Sequence, residues 1–414
     1  MPKAMIISLG GSPEPLRKSI ESYRPEHVVL FASHDSSLLA GEVMKGIDPK
    51  PTVAFEITEN HNSLHESYKA ACRGVERIRR LQIPPEDVMV DFTGGTKVMT
   101  AALIFATIGH KFMFNYVGGD KRNKDGLGTV QDGCEVMYDE MSPWSLYAEE
   151  ERRQVVTLFN RRMYASAMSL IEACNNRMSC PDKVRSYFRF VYDLADGYHQ
   201  WEQFRHAVAL RKIGDGVEAL QTYLERYPDP DLESFLCRIR KDREFLSSLV
   251  EKTQGMKKYD MIIVHDLVSN ARRRMLDKRY DDAAARIYRA LELYGQVYFI
   301  ELTGCMNNEV DPELIPESIR SDFVRKYLDT GKNKLKLPLA ATFRFLKEKG
   351  HEAGLRFYEP KTKDKIKNIQ SNRNNSILAH GIDPVSEKAM NSIFDTICEF
   401  IGVSDFMVFS EIPE

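Results

Sequence analysis

The sequence has no apolar run approaching the roughly 20 residues that a bilayer-spanning helix requires, which argues against a membrane protein and predicts a soluble one. It also lacks an excess of either charge: 58 Lys and Arg against 60 Asp and Glu leave a formal charge of −2. No global field draws the chain to DNA or to a membrane surface, so any nucleic-acid site must be local. There is no Cys-x-x-Cys pair. The cysteines at 72, 134, 174, 180, 237, 305 and 398 are scattered, without a Cys/His cluster at zinc-ligand spacing, and read as reduced thiols in a cytoplasm. Gly and Pro form no long tract that would mark a linker, so domain boundaries must come from changes in pattern. The first residues, Met1 to Gly10, lack the apolar core and cleavage site of a signal peptide and read as a buried strand.

What is present is length, 414 residues, enough for two or three domains each with its own core. Over residues 4–138, β-rich runs (Ala4 to Leu9, Val28 to Ala32, Val53 to Ile57, Val88 to Phe92, Phe112 to Val117) alternate with helical stretches (Pro15 to Tyr23, Leu64 to Leu81, Val98 to Ile108). That alternation predicts a mainly parallel sheet with helices on both faces, a Rossmann-like α/β domain. A turn-rich stretch, Gly118 to Gly128, then leads to a further strand over Thr129 to Tyr138, predicting a hairpin that closes one sheet edge. Beyond about residue 148 the β signal nearly vanishes and an all-α region is predicted. Within it, Leu158 to Ala173 and Met275 to Leu293 resemble helical-hairpin units, and helix breaks are expected near Lys252 to Lys258, at Gln254-Gly255, and near Gly304 to Pro316.

In a parallel sheet, ligands sit beyond the carboxyl ends of the strands, where helix N-termini attract anions. The loop Asp91-Phe92-Thr93-Gly94-Gly95-Thr96-Lys97 occupies that position. Gly94 and Gly95 allow close backbone approach, Thr93 and Thr96 offer hydroxyls, and Lys97 adds a compact charge at a helix start. Gly10-Gly11-Ser12-Pro13, after the first strand, faces the same edge. A glycine-rich turn that only reverses the chain is the bland alternative. Dehydrogenase and ATPase readings fit less well: no Gly-x-Gly-x-x-Gly follows the first strand, and Gly-Gly-Thr-Lys lacks the Gly-Lys-Ser/Thr ending of a Walker loop.

Strand, then Asp91 to Met99, then helix, followed by Tyr116-Val117-Gly118-Gly119 and the Gly126-Leu127-Gly128 hairpin, resembles the CRISPR-associated Rossmann fold (CARF) sensor domain over roughly residues 1–140. The resemblance implies a cyclic oligoadenylate activator, tetra- or hexa-adenylate, bound across a homodimer. By that carry-over Thr93, Gly94, Gly95, Thr96 and Lys97 line the ligand, with Gly11 and Ser12 beside them. A two-fold-compatible ligand suits the C2 dimers that dominate homo-oligomers.

A second constellation is Ser371 to Gly381. Arg373 and His380 are seven apart, about 20° from one azimuth and about 10 Å apart along an ideal helix. Such a pair suits RNA cleavage without metal: histidine moves a proton at the 2′-hydroxyl or leaving oxygen while arginine holds the scissile phosphate. Asn374 adds a hydrogen bond to phosphate or to the histidine. Arg344 and His351 show the same interval, but without the asparagine, and read as a charged helix end. Arg373-Asn374 through Ala379-His380-Gly381 resembles the HEPN ribonuclease signature. Lys361, Lys363, Lys365 and Lys367, opposed only by Asp364, form a local basic strip. Arg286, Arg289 and Glu292 could share a helix face, and Arg289 and Glu292 are taken as supporting residues.

Together these features predict a CARF domain over 1–145, a helical middle domain over 146–255 and a HEPN-like helical domain over 256–414. The expected activity is a metal-independent endoribonuclease acting on single-stranded RNA, with no catalytic cofactor and no DNA partner, in type III CRISPR defence. A dimer brings two arginines and two histidines around one cleft. The alternative is a cyclic oligoadenylate-binding regulator or ring nuclease whose helical region is a non-catalytic interaction module; no helix-turn-helix signature supports a transcription factor.

Overall fold

The computed structural model describes residues 1–119, 122–124, 127–130, 134–138, 144–177, 182–360, 362, 364–366, 369 and 382–413. Arg373, Asn374 and His380 lie outside them, as do Lys361, Lys363 and Lys367. The chain divides into two compact units, 1–192 and 193–413, with the division inside a helix.

The first unit opens with β1 (Ala4–Ser8), α1 (Pro13–Tyr23), β2 (His27–Ser33), two single-turn helices α2 (His34–Ser37) and α3 (Ala40–Val43), β3 (Thr52–Thr58) and α4 (Leu64–Arg80). It continues through β4 (Val88–Asp91), α5 (Lys97–Thr107), β5 (Met113–Gly118), β6 (Arg122–Lys124), β7 (Leu127–Val130) and β8 (Val136–Tyr138). The sheet runs β3-β2-β1-β4-β5-β8, parallel up to the antiparallel edge strand β8. Successive side chains of a strand point to opposite faces, and β1 divides its residues accordingly. Ala4 and Ile6 join Val29, Phe31, Val90 and Phe114 under α4 and α5. Met5 and Ile7 join Val28, Leu30 and Met89 under α1 and α3. Burial on both faces is why these strands read as unbroken apolar runs.

One expectation is corrected. Among the described residues the stretch Thr129 to Tyr138 is divided: β7 pairs with β6 in a separate two-stranded ribbon, and β8 closes the sheet edge against β5.

Two helices complete the first unit, α6 (Trp144–Asn160) and α7 (Tyr164–Arg177), and α8 (Asp182–Glu202) crosses into the second. There follow α9 (His206–Arg226), α10 (Pro230–Lys252), α11 (Met261–Leu276), α12 (Tyr280–Thr303), α13 (Glu317–Tyr327), a two-residue-strand hairpin β9 (Leu328–Asp329) and β10 (Lys334–Leu335), α14 (Leu339–Glu348), α15 (Glu352–Phe357) and α16 (Glu387–Ile401). The two helical-hairpin stretches named from sequence share a turn with a third. Arg162, Phe204 and Lys278 each adopt positive φ at the second residue past a helix, and the following amides Met163, Arg205 and Arg279 reach back to the carbonyls of Leu158, Gln200 and Arg274 at 2.9 Å. This six-to-one bond closes a Schellman cap. Both expected helix breaks are present: α10 ends before Gln254 and Gly255, both at positive φ, and α12 ends on Gly304 at φ +71°.

The helical unit is held by polar groups as well as apolar ones. Asp266 of α11 is fully buried and accepts the Trp201 indole N–H at 2.9 Å, with His206 Nε2 2.8 Å away. Glu202 pairs with Arg273 and Arg274. The last residues pack here too. Phe409 lies 4.6 Å from the Tyr198 ring, 4.9 Å from Trp201 and 3.9 Å from the Arg273 guanidinium, and the Ser410 amide donates to Asp242. Among the described residues no helix is long and apolar enough to cross a membrane.

Candidate functional site

The strand order reverses between β1 and β4: the chain builds outward to β3, then returns to the other side of β1. At such a switch point the loops leaving neighbouring strands diverge and open a crevice. The loops that diverge here are the two glycine-rich ones.

They are pressed backbone to backbone at their base. A Cβ on Gly10 would fall 2.4 Å from the Gly95 nitrogen, and one on Gly94 would fall 2.3 Å from the Ser8 carbonyl oxygen and 2.8 Å from the Gly10 nitrogen. Only glycine fits either place. The Ser8 hydroxyl, fully buried, locks the contact by donating to the Gly94 carbonyl at 2.6 Å. Gly95 sits at φ +85°, a left-handed conformation that turns the chain into α5.

Beneath the loop is a buried polar support. Asp91, inaccessible to solvent, accepts the Thr93 amide at 2.9 Å and the Asn115 side-chain amide at 2.7 Å, and Asn115 also donates to Ser19 at 3.1 Å. Burial pushes the Asp91 carboxyl above the usual carboxylate range, with the hydrogen bonds from Ser19, Thr93 and Asn115 opposing it. The threonine hydroxyls expected to face a ligand are used inside the protein. Thr93 Oγ1 accepts the Val117 amide at 2.7 Å; Thr96 Oγ1 caps α5 by accepting the Met99 amide at 3.2 Å and donates to the His61 carbonyl at 2.9 Å. Both hold the loop in shape.

Above them opens a cavity of about 360 Å³, a volume within the range of small-ligand pockets. Leu9, Gly10 and Gly11 form one wall, Gly95, Thr96 and Met99 another. The far side is Ser33, Asp35, Ser36 and Leu39 from the end of β2, with His61 from the loop after β3. Of the residues expected from sequence, Gly11, Gly95 and Thr96 line this space; Ser12, Thr93, Gly94 and Lys97 are not among its lining residues. Lys97 is exposed on the first turn of α5 and makes no ion pair among the described residues. The first α5 bond runs from the Thr100 amide to the Thr96 carbonyl, leaving the Lys97 and Val98 amides pointing out of the helix end. Missing from the sequence reading were Asp35, Ser36 and His61. Their signal was the polar stretches His34 to Ser37 and Glu59 to Ser63, which follow predicted strands and so reach the same sheet edge.

In the helical unit Arg289 and Glu292 are 3.3 Å apart on α12, and Arg289 also donates to Gln296 at 3.0 Å. Gln296 continues to Asn307, which reaches the Leu337 carbonyl and Thr342. Arg286 turns instead to Asp282. The Arg344/His351 pair has a structural role: Arg344 binds Asp322 at 2.7 Å, and His351 caps α15 through Nδ1 with its ring 4.4 Å from Tyr298. Of the basic strip, Lys365 is described and lies 4.0 Å from Glu399.

A Rossmann-like sheet with a crevice at its switch point, joined to a helical region, defines the class: a ligand-sensing domain fused to an α-helical effector. Two family models match the helical part, described as the Csm6 6H domain over residues 147–246 and the Csm6 HEPN domain over residues 252–404, together more than half of the chain. The chain belongs to the Csm6 family of CARF-HEPN proteins of type III CRISPR systems, and its enzymatic class is ribonuclease. No curated protein matches it by sequence. Among solved structures it is similar to Enterococcus italicus Csm6 bound to cyclic hexa-2′-fluoro-hexa-dAMP, at 13% identity and a TM-score of 0.62, covering 97% of this chain and 94% of that one. At that identity the likeness concerns the fold. Can2 from Sulfobacillus thermosulfidooxidans in complex with cyclic tetra-adenylate aligns over 50% of this chain and 68% of that one, at 13% identity and a TM-score of 0.24.

Proposed function

We propose that the chain is a cyclic oligoadenylate-activated endoribonuclease that cuts single-stranded RNA without a metal ion, as a cytoplasmic homodimer. The observation that carries the sensor half is the pair of interlocked glycine loops at the switch point, with the N-terminus of α5 at the cavity wall and the Lys97 ammonium, without an ion pair among the described residues, next to the lining residue Thr96. Helix N–H groups and a compact cation suit a phosphodiester ring. Asp35 and Ser36 offer acceptors and donors for ribose hydroxyls and base edges. The cyclic ligand bound by E. italicus Csm6 supports this choice.

For the effector half we assign Arg373, Asn374 and His380, which fall inside the matched HEPN range. His380 moves the proton at the attacking 2′-hydroxyl or the leaving oxygen, Arg373 neutralises the charge growing on the phosphate, and Asn374 positions one or the other. A dimer supplies two copies of each around one cleft, and ligand binding to a paired sensor biases that cleft. We place the sensor over 1–145, the helical middle domain over 146–255 and the nuclease over 256–414; the family matches at 147–246 and 252–404 support the helical bounds. A ring nuclease that uses Thr93 and Thr96 fits less well, since those hydroxyls are already engaged.

The test is cleavage of a fluorogenic RNA in EDTA, with and without cyclic tetra- or hexa-adenylate. Wild type is expected to cut only with one of the rings and His380→Ala not at all, whereas cutting by His380→Ala at the wild-type rate would refute the assignment. Lys97→Ala should bind the ring roughly tenfold more weakly, as expected for one charged hydrogen bond.

A further inference from the structure

A second cavity, of about 530 Å³, lies within the helical unit where the end of α11 and the start of α12 meet α16. We infer that it is a base-recognition subsite for the RNA substrate, selecting an amino-bearing base (adenine, guanine or cytosine) over uracil. The inference rests on the ribonuclease reading and adds where the enzyme reads sequence.

The residues that line the cavity are of two kinds. Met275, Phe394 and Cys398 make an apolar floor, with the Cys398 thiol kept neutral by burial. A planar base gains most by lying against such a surface. Glu387, Asn391 and Asp395 line the cavity at successive intervals of four along α16, so they stand in one row on one helix face, and all three are exposed. Arg272 is the one cation among the lining residues, and its guanidinium already sits 4.4 Å from the centre of the Phe406 ring.

This balance of charge selects the ligand. Two carboxylates against one guanidinium repel phosphate, so the cavity does not suit the backbone of the RNA. What they accept well is an N–H donor. Adenine, guanine and cytosine each present an exocyclic amino group, and an asparagine amide can pair with the donor–acceptor edge of adenine in bidentate fashion. Uracil presents a single ring N–H flanked by two carbonyl oxygens, which would face carboxylates unfavourably. A site built to hydrogen-bond a group discriminates strongly against the analogue without it.

Position along the chain supports the assignment. Glu387 follows His380 by seven residues, which limits their separation to about 25 Å even in a fully extended chain. The joining stretch is tied down at the cavity: the Val385 amide donates to both Asp281 carboxylate oxygens, at 3.2 and 3.3 Å, next to the lining residue Tyr280. The described chain that follows the proposed catalytic pair is therefore anchored, at Val385, beside a residue that lines this cavity.

The experiment compares activated cleavage of short RNAs that differ only in the bases flanking the cut. Wild type should favour amino-bearing bases over uracil by roughly tenfold or more in kcat/KM, and Asn391→Ala/Asp395→Ala should reduce that ratio to about twofold or less. Ser392→Ala, on the same helix but off the cavity, should keep it. Binding of uncleavable 2′-O-methyl oligomers of A, C, G or U reads the subsite independently of catalysis. Preferential binding that the double variant abolishes supports the subsite even where cleavage, and with it the ribonuclease reading, fails. Equal binding of all four, an unchanged ratio in the double variant, or a change in its oligomeric state in place of its base preference would each overturn the inference.

Discussion

Gly94→Ala is the sharpest test of the sensor architecture, because everything its new methyl group meets is backbone. The Ser8 oxygen at 2.3 Å belongs to the end of β1, which is held on either side by β2 and β4, and the Gly10 nitrogen at 2.8 Å lies two residues further on. Nothing there can rotate away. The loop must lift, and in lifting it stretches the bond from the buried Ser8 hydroxyl to the Gly94 carbonyl. Overpacking of this kind costs about 1–3 kcal/mol and a lost buried hydrogen bond about 1 kcal/mol more, so a loss of roughly 2–4 kcal/mol is expected. In a unit of this size each kcal/mol corresponds to about 2–4 °C in melting temperature.

Gly11→Ala is the matched control. A Cβ there meets no atom within 4 Å and Gly11 is exposed, so the fold should keep its stability or gain a few tenths of a kcal/mol through the unfolded chain. Gly11 lines the cavity, however, so the added methyl should weaken cyclic oligoadenylate binding. Thermal melts paired with calorimetric titration separate the two effects. A Gly94→Ala protein that melts with wild type, or a Gly11→Ala protein that melts below it, would refute the account of interlocked loops.

Three further outcomes are expected. Phe409→Ala, which removes a ring packed against Tyr198, Trp201 and Arg273, should destabilise the helical unit by about 3–5 kcal/mol in chemical denaturation, and a change below about 1 kcal/mol would mean that the final residues do not hold it together. Cys398, whose thiol is pushed up to about 12 by burial, should resist iodoacetamide near about pH 8 while exposed Cys237 is labelled, as read by peptide mass mapping. For Asp91 the raised carboxyl means that the folded state keeps its proton to higher pH than the unfolded chain. Relative to Asp91→Asn, wild type should therefore lose stability as pH rises from about 4 through the raised value and then level off, and a flat or rising difference would contradict the burial argument.

The sheet was legible because its central strands are buried on both sides, so Met5 to Ile7 and Val28 to Ala32 appear as short apolar runs that alternate with helical stretches. The region after β5 was less so. Thr129-Val130 and Val136-Met137-Tyr138 carry strand-forming residues, but Asp132-Gly133 between them is itself a turn signal, and reading through it merged two strands with different partners. Helices α2 and α3, at four residues each, are too short to show a helical period at all. Arg344 and His351 show the limit of spacing as evidence. They match the Arg373/His380 interval; the missing asparagine set them apart in the sequence, and their partners, Asp322 and the first turn of α15, give them a structural role.

At the proposed sensor site the sequence placed the loop at the strand ends, where the cavity opens, but assigned its hydroxyls on chemistry alone. Thr96 stands immediately before a helix, a position where threonine is favoured as a cap, so two roles competed for one side chain. A hydroxyl has one proton and two lone pairs; once Met99 occupies a lone pair and the His61 carbonyl takes the proton, it has no hydrogen left to give an anion. Holding the cap in this way is what leaves the Lys97 and Val98 amides aligned and open. In the proposed site the recognition of phosphate would therefore pass from the side chains, whose identity a sequence displays, to backbone groups that every sequence contains. What distinguishes this loop is the steric demand at Gly10 and Gly94, which lets two strands' loops close to contact distance beside the cavity that Gly10, Gly95 and Thr96 line.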